Sequence, residues 1–202
     1  SLIRGVLDLM EMDDPVGPEK QRELVNMMKM ATMAIRSQIE FTRMYQDLGS
    51  HDPVWADLQV MIPRSSLPPE ITLTIESGSY LIFADPMLER VFFNLMDNSV
   101  RHGQHVSTIQ VTAGEAENGL ILTWEDNGIG IPPHEKDLIF ERGYGKNTGL
   151  GMFLVREILA LTGITIQETG EAGTGVRFEI HVPAGGYRKR EEPAGPGAES
   201  PR

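Results

Sequence analysis

Apolar residues recur at Leu2, Ile3, Val6, Leu7 and Met10 with the spacing of one helical face, until Asp13-Asp14-Pro15-Val16-Gly17-Pro18 interrupts them with two prolines and a glycine. A second stripe, Leu24, Met28, Ala31, Ile35, Ile39 and Thr42, runs from Glu19 to about Asp47, with Pro18 at its mouth and Gly49 past its end. The pattern predicts a helical hairpin over residues 1–49. Seven of the 11 methionines precede residue 45, a flexible thioether surface suited to a packed core or to a helix-to-helix interface. Two helices cannot close a core by themselves, so the hairpin has to dock on something.

The periodicity then changes. Prolines 53, 63, 68 and 69 punctuate short apolar runs, which predicts a linker over residues 50–56 and an edge strand from Asp57 to Ile62. Ile71 to Glu76 and Tyr80 to Ala84 alternate around Ser77-Gly78-Ser79 like a hairpin, and Pro86 opens a helix reaching His102. Val106 to Thr112 and Leu120 to Glu125 form a further strand pair. A glycine-rich segment, a helix from about Leu150 to Leu161, and a last strand pair at Ile164 to Glu168 and Val176 to Val182 follow. Strands grouped in pairs with helices between them predict an α+β fold. Residues 57–184 then form a two-layer sandwich, a mixed sheet with helices on one face, preceded by the helical hairpin. Residues 185–202 are Gly, Pro, Glu, Arg and Ser with little to bury, and read as a disordered tail.

Composition narrows the function. Asp and Glu outnumber Lys and Arg by 29 to 18, and a formal charge of -11 argues against a nucleic-acid footprint or contact with an anionic membrane. An anionic ligand would need local cations to overcome that field. The chain has no cysteine, so disulfide scaffolds and thiolate metal sites are excluded, and the five histidines show no paired ligand spacing. No apolar run approaches a membrane span and no signal peptide is recognisable, which predicts a cytoplasmic protein. A start at Ser1, directly inside an apolar pattern, reads as a piece of something longer.

Two polar constellations stand out. On the helix ending at His102, Asn94 and Asn98 lie one above the other, with Arg101 and His102 continuing the stripe, while Leu88, Val91, Leu95 and Ser99 turn toward an apolar side. Asparagine in mid-helix gains no packing, yet its carboxamide oxygen suits magnesium, which keeps most of its waters and binds phosphates. Asp126-Asn127-Gly128-Ile129-Gly130-Ile131-Pro132 follows a strand, where a carboxylate can accept from an exocyclic amine while glycines let backbone come close. A common hairpin turn has the same residues. Arg142-Gly143-Tyr144-Gly145-Lys146-Asn147-Thr148-Gly149-Leu150-Gly151 leads into a helix whose amino end can meet a phosphate chain. It is neither a Walker loop, since Asn147 follows Lys146, nor a Rossmann fingerprint, since Leu154 fills the third glycine position. A mobile lid with two cations, or a solvent loop, remains.

Taken in order, these segments resemble a known family. Asn94 to His102 resembles the N box of sensor histidine kinases and Asp126 to Gly130 the G1 box. Ile139-Phe140 resembles the F box, Gly149-Leu150-Gly151-Met152 the G2 box, and Gly173-Thr174-Gly175 before Phe178 the final glycine box. The resemblance spans about Asp57 to Pro183 and implies the GHKL-type, or Bergerat, ATP-binding fold. It further implies Asn98 on magnesium, Asn94, Arg101 and His102 near the phosphates, and Asp126 on adenine. Gly128, Gly130, Ile131, Met152 and Thr174 would be further nucleotide-binding residues, and residues 142 to 151 would form the ATP lid. The hairpin resembles part of a dimerisation and phosphoacceptor domain, and Phe41 to Gly49 with Pro53-Val54-Trp55 look most like archaeal sensor kinases.

Two departures shape the expectation. Related gyrase and chaperone ATPases carry a carboxylate at the first N-box position to activate water, whereas Asn94 cannot accept a proton, so transfer to a protein acceptor is favoured over hydrolysis. Residues 1 to 18 contain no histidine, which places the phosphoacceptor upstream of Ser1. The resemblance therefore implies a protein histidine kinase portion that uses Mg-ATP, passes phosphate on to a response regulator receiver domain and dimerises through the hairpin. An anti-sigma-type serine kinase and an ATP-sensing module without transfer are the alternatives.

Overall fold

A computed structural model describes residues 17–64, 67–145 and 149–190. The first arm of the expected hairpin and residues 191–202 lie outside the described residues. Helix α1, Pro18–Asp47, begins where Pro18 pre-sets the backbone and ends before Gly49, whose φ of +69° suits a residue without Cβ. The side it turns to the rest of the chain differs from the stripe expected. Phe41 is buried with Met44 and Leu48 beside it, whereas Met28, Ile35 and Ile39 are exposed. Helical periodicity located the helix, but two overlapping stripes share its circumference, and aromatic packing selected the one through Phe41. Phe41, Tyr45 and Phe153 cluster with ring centroids 5.6 to 6.3 Å apart, Tyr45 stacked on the other two, and fix the end of α1 to the helix that begins at Gly151.

Strand β1, Val54–Asp57, starts inside the span expected to be linker, and where an edge strand was expected the chain forms a short helix α2, Leu58–Met61. Asp57 explains the switch: its carboxylate accepts from the backbone N–H of Gln59 at 3.0 Å and caps a helix. Strands β2 (Thr72–Glu76) and β3 (Tyr80–Ala84) are not a hairpin. β2 lies parallel to β4 (Thr108–Ala116), and β3 lies antiparallel to β1 in a separate sheet. Alternation identifies a strand and leaves its partner undetermined.

The remaining elements match the expectation: helix α3 (Leu88–His102), strand β5 (Gly119–Asp126), helix α4 (Gly151–Ala160), and strands β6 (Thr165–Glu168) and β7 (Arg177–Pro183). A five-stranded mixed sheet of order β2-β4-β5-β7-β6 results. Its inner face carries Ile109, Val111, Leu120, Leu122, Trp124, Phe178, Ile180 and Val182, all buried beneath α3 and α4. Its outer face carries Glu125, Arg177, Glu179 and His181, with Arg177 ion-paired to Glu125 and Glu179 and the His181 ring beside Glu179. This is the two-layer sandwich that the hydrophobic pattern predicts.

One strand falls inside the expected tail. β8, Tyr187–Lys189, pairs antiparallel with β3 and completes a three-stranded sheet β1-β3-β8. Polar residues hold it there: Lys189 Nζ lies 2.9 Å from Glu115 Oε1, to which the Tyr80 hydroxyl also donates at 3.2 Å, and Arg190 pairs with Asp57 at 2.8 Å. The hydrogen bond from Lys189 and its charge pull the Glu115 carboxyl below the usual carboxylate range. The stability it lends is present above that range and is lost as pH falls through the lowered value. Protection of the β8 amides, corrected for the intrinsic exchange rate at each pH, is therefore expected to fall in acid before that of the β5 amides does. In the core, Phe92 is fully buried between α3 and the sheet. Phe92→Ala is expected to remove about 3–5 kcal/mol of stability, read as a lower urea midpoint.

Candidate nucleotide site

The amphipathicity of α3 builds the site. Leu88, Val91, Phe92, Leu95 and Met96 anchor one side in the core, which leaves Asn94, Asn98, Arg101 and His102 along the wall of a cavity of about 840 Å³. Arg101 and His102 occupy the last turn, where cations suit the helix dipole. Arg101 Nε also pairs with Asp97 Oδ1 at 2.6 Å one turn earlier. Among the described residues, Nδ2 of Asn94 is buried without a hydrogen-bond partner, a cost natural interiors rarely carry unless another group is meant to meet the donor.

Opposite α3 lies the end of β5. Asp126 is buried, and its carboxylate is held from three directions. Oδ1 accepts from the backbone N–H of Gly128 at 3.0 Å and of Val176 at 3.2 Å, while Oδ2 accepts from the Ser99 hydroxyl at 2.6 Å. Glycines make the approach possible. A Cβ on Gly175, at φ +128°, would stand 1.8 Å from the Asp126 carbonyl oxygen, and one on Gly128 would stand 2.6 Å from the Gly103 carbonyl. Asn127 points the other way and locks the turn to the start of β4: its Oδ1 accepts from Ser107 N–H at 2.9 Å and Thr108 N–H at 3.0 Å.

The cavity is closed on its third side by Tyr144, Gly145, Gly149, Leu150, Gly151 and Met152. Helix α4 starts there at Gly151 without a side-chain cap, so its first backbone donors remain available to an anion. A Cβ on Gly151 would lie 3.4 Å from Asn94 Oδ1, so the glycine brings the helix start up to the asparagine wall. Lys146, Asn147 and Thr148 lie outside the described residues. The expected F box is structural, with Phe140 buried edge-on against Phe178 at 6.2 Å. A half-buried ion pair, Lys136 Nζ to the buried Glu168 Oε2 at 2.9 Å, ties the segment before it to β6, and Lys136 also donates to the Gly170 carbonyl.

Of the residues singled out in the sequence, Asn94, Asn98, Arg101, His102, Asp126, Ile131, Tyr144, Gly149, Leu150, Gly151 and Met152 meet around this one cavity. Gly128 and Gly130 stand behind the wall, where Gly130 at φ +68° packs against the carbonyls of Glu171 and Gly175. Thr174 turns away from it, donating to the Glu171 carbonyl at 2.8 Å, and its turn serves to place Gly175. Arg142 lies 5.8 Å above the Phe41 ring on α1 rather than in the wall. Sequence reasoning missed Ser99, which it assigned to the apolar side, and missed α1, whose Ser37, Glu40, Phe41 and Met44 form part of the wall. The polar Ser99 among apolar neighbours was the available signal for the first.

Comparison with known proteins shows the family and the fold. The family model described as histidine kinase-, DNA gyrase B- and HSP90-like ATPase matches residues 84–186, just over half of the chain. The chain belongs to that family. Among curated relatives, it is 32% identical over 145 residues to the sensor protein KdpD of Escherichia coli, covering 67% of this chain and 16% of the relative. Among solved structures, the ATP binding domain of PrrB from Mycobacterium tuberculosis is 26% identical, with TM-score 0.55, covering 66% of this chain and 98% of that one. The Acinetobacter baumannii histidine kinase AdeS covers 90% of this chain and 91% of its own at 18% identity and TM-score 0.59, a likeness of fold. The chain spans about a sixth to a quarter of the length of the first curated relatives it matches.

The geometry makes Gly175 a sensitive position. Gly175→Ala is expected to push Val176 off Asp126 and to destabilise the fold by more than about 1 kcal/mol. A melting temperature equal to that of the wild type would contradict this account of the turn.

Proposed function

We propose that this chain is the ATP-binding catalytic portion of a two-component sensor histidine kinase. The observation that carries the reading is the convergence, around one cavity, of a fixed carboxylate, an asparagine wall holding a buried donor with no partner among the described residues, and a helix start with no side-chain cap among them. These suit, in turn, the exocyclic amine of adenine, the polar phosphate region and the phosphate charge. Asp126 would take the adenine, Asn98 the magnesium, and Asn94, Arg101 and His102 the phosphates, with residues 142 to 151, including Lys146, Asn147 and Thr148, as the lid. The names of its relatives, sensor proteins and histidine kinases, support this over a serine kinase.

Bound Mg-ATP supplies the phosphoryl group, and the protein's part in such transfers is position and charge. Arg101 and His102 offset the acidic field locally, and Asn94 cannot take a proton from water at the position it occupies. The acceptor is a histidine upstream of Ser1, the next acceptor is a response regulator receiver domain, and the intact protein works as a homodimer through the helical hairpin on the cytoplasmic side. No helix among the described residues is long and apolar enough to cross a membrane.

Calorimetry with ADP and magnesium tests the pocket. The wild type is expected to bind, and Asp126→Asn to bind about 10- to 100-fold more weakly, the weight of a hydrogen bond to a charged group. Well-folded protein that gives no heat overturns the reading. Incubation with γ-labelled ATP is expected to label this chain poorly, and a stable phosphohistidine on it would refute the upstream acceptor.

A further inference from the structure

Ser99 is the one polar side chain among the buried residues of α3, and the reading above gives it no part in choosing the nucleotide. Its hydroxyl stands between two buried groups: it donates to Asp126 Oδ2 at 2.6 Å and accepts from Trp124 Nε1 at 3.2 Å. An indole N–H can only donate, so the serine proton is directed away from Trp124 and onto the carboxylate. The bonding of Asp126 can then be counted. Two backbone donors occupy Oδ1 and fix that oxygen, but two bonds to one oxygen leave the carboxylate plane free to turn. The bond from Ser99 to the other oxygen fixes the plane. Of roughly four acceptor positions on a carboxylate, three are filled, and one, on Oδ2, remains.

We propose that Ser99, oriented by Trp124, is a positioning residue for nucleotide selection: it holds Asp126 so that its one remaining acceptor position takes a purine bearing an amine at C6 and disfavours purines bearing hydrogen or oxygen at that carbon. The inference rests on the ATP reading and names what makes its base contact selective. Without the hydroxyl, the carboxylate plane loosens, a water competes for Oδ2, and the fully buried Trp124 loses its acceptor. A merely structural serine would, on removal, weaken all nucleotides alike.

The test compares binding of ATP, purine riboside triphosphate and GTP, with magnesium, to the wild type, Ser99→Ala, Ser99→Thr and Trp124→Phe, with circular dichroism melts to establish folding. The wild type is expected to favour ATP over the other two. In Ser99→Ala the preference for ATP over purine riboside triphosphate is expected to fall by at least about threefold. Trp124→Phe shifts it the same way by less, and Ser99→Thr, which keeps a hydroxyl, restores it. Folded variants that retain the wild-type preference, whatever their overall affinity, overturn the inference and leave the ATP reading standing. If Ser99→Ala does not fold, Trp124→Phe decides on the same criterion. A wild type that binds none of the three overturns the ATP reading itself.

Discussion

The three-way hold on the Asp126 carboxylate is the constraint on which the rest of the site depends. Its donors come from α3, from the turn after β5 and from the start of β7, so the carboxylate is correctly aimed only while helix, turn and strand keep their places. The register of the sheet secures two of the three. Asp126 stands opposite Ile109 on β4, Glu125 opposite Arg177 on β7, and Asn127 clips the turn to Ser107 and Thr108. A slip of one residue would exchange the faces of β5 and carry Asp126 and Trp124 to the polar side.

Helix α3 divides the structure between stability and chemistry. One side contributes six buried residues and the other lines the cavity, and Ser99 is where the two meet. Electrostatics at the cavity is mixed. The chain carries a formal charge of -11, and Arg90, Arg101 and His102 stand at the cavity beside Glu40, Asp97, Asp126 and Glu135. The pairing of Arg101 with Asp97 holds one of these cations until an anion of greater charge competes for it.

Much of this was legible in the sequence because it depends on local rules. The 3.6-residue spacing from Leu88 to Ser99 exposes the core face of α3, and the glycines at 128, 149 and 175 mark backbone too crowded or too left-handed for a side chain. The misses share another cause. Whether Thr72–Glu76 pairs with its neighbour in sequence or with a strand beyond α3 is decided by which surfaces bury most area together, and alternation carries no such information. Phe41 lay outside the chosen stripe because its partners, Tyr45 and Phe153, come from its own next turn and from a helix more than 100 residues away. Ser99 was assigned by its position on the helical wheel, and its role rests on Trp124 and Asp126, which the wheel does not contain. β8 escaped notice because three residues among glycines and charges give no periodicity, and its hold comes from Glu115 and Asp57.

That last strand sets the order in which the protein can be completed. Tyr187–Lys189 seals an edge of β3 that has existed since residue 84, so during synthesis the Tyr80–Ala84 backbone waits, half-paired, for more than a hundred residues to emerge. The family match stops at residue 186, one position before the seam closes. A truncation there would keep every side chain of the cavity wall and still leave a bare sheet edge, a template for unwanted association between copies rather than a defect in ligand recognition.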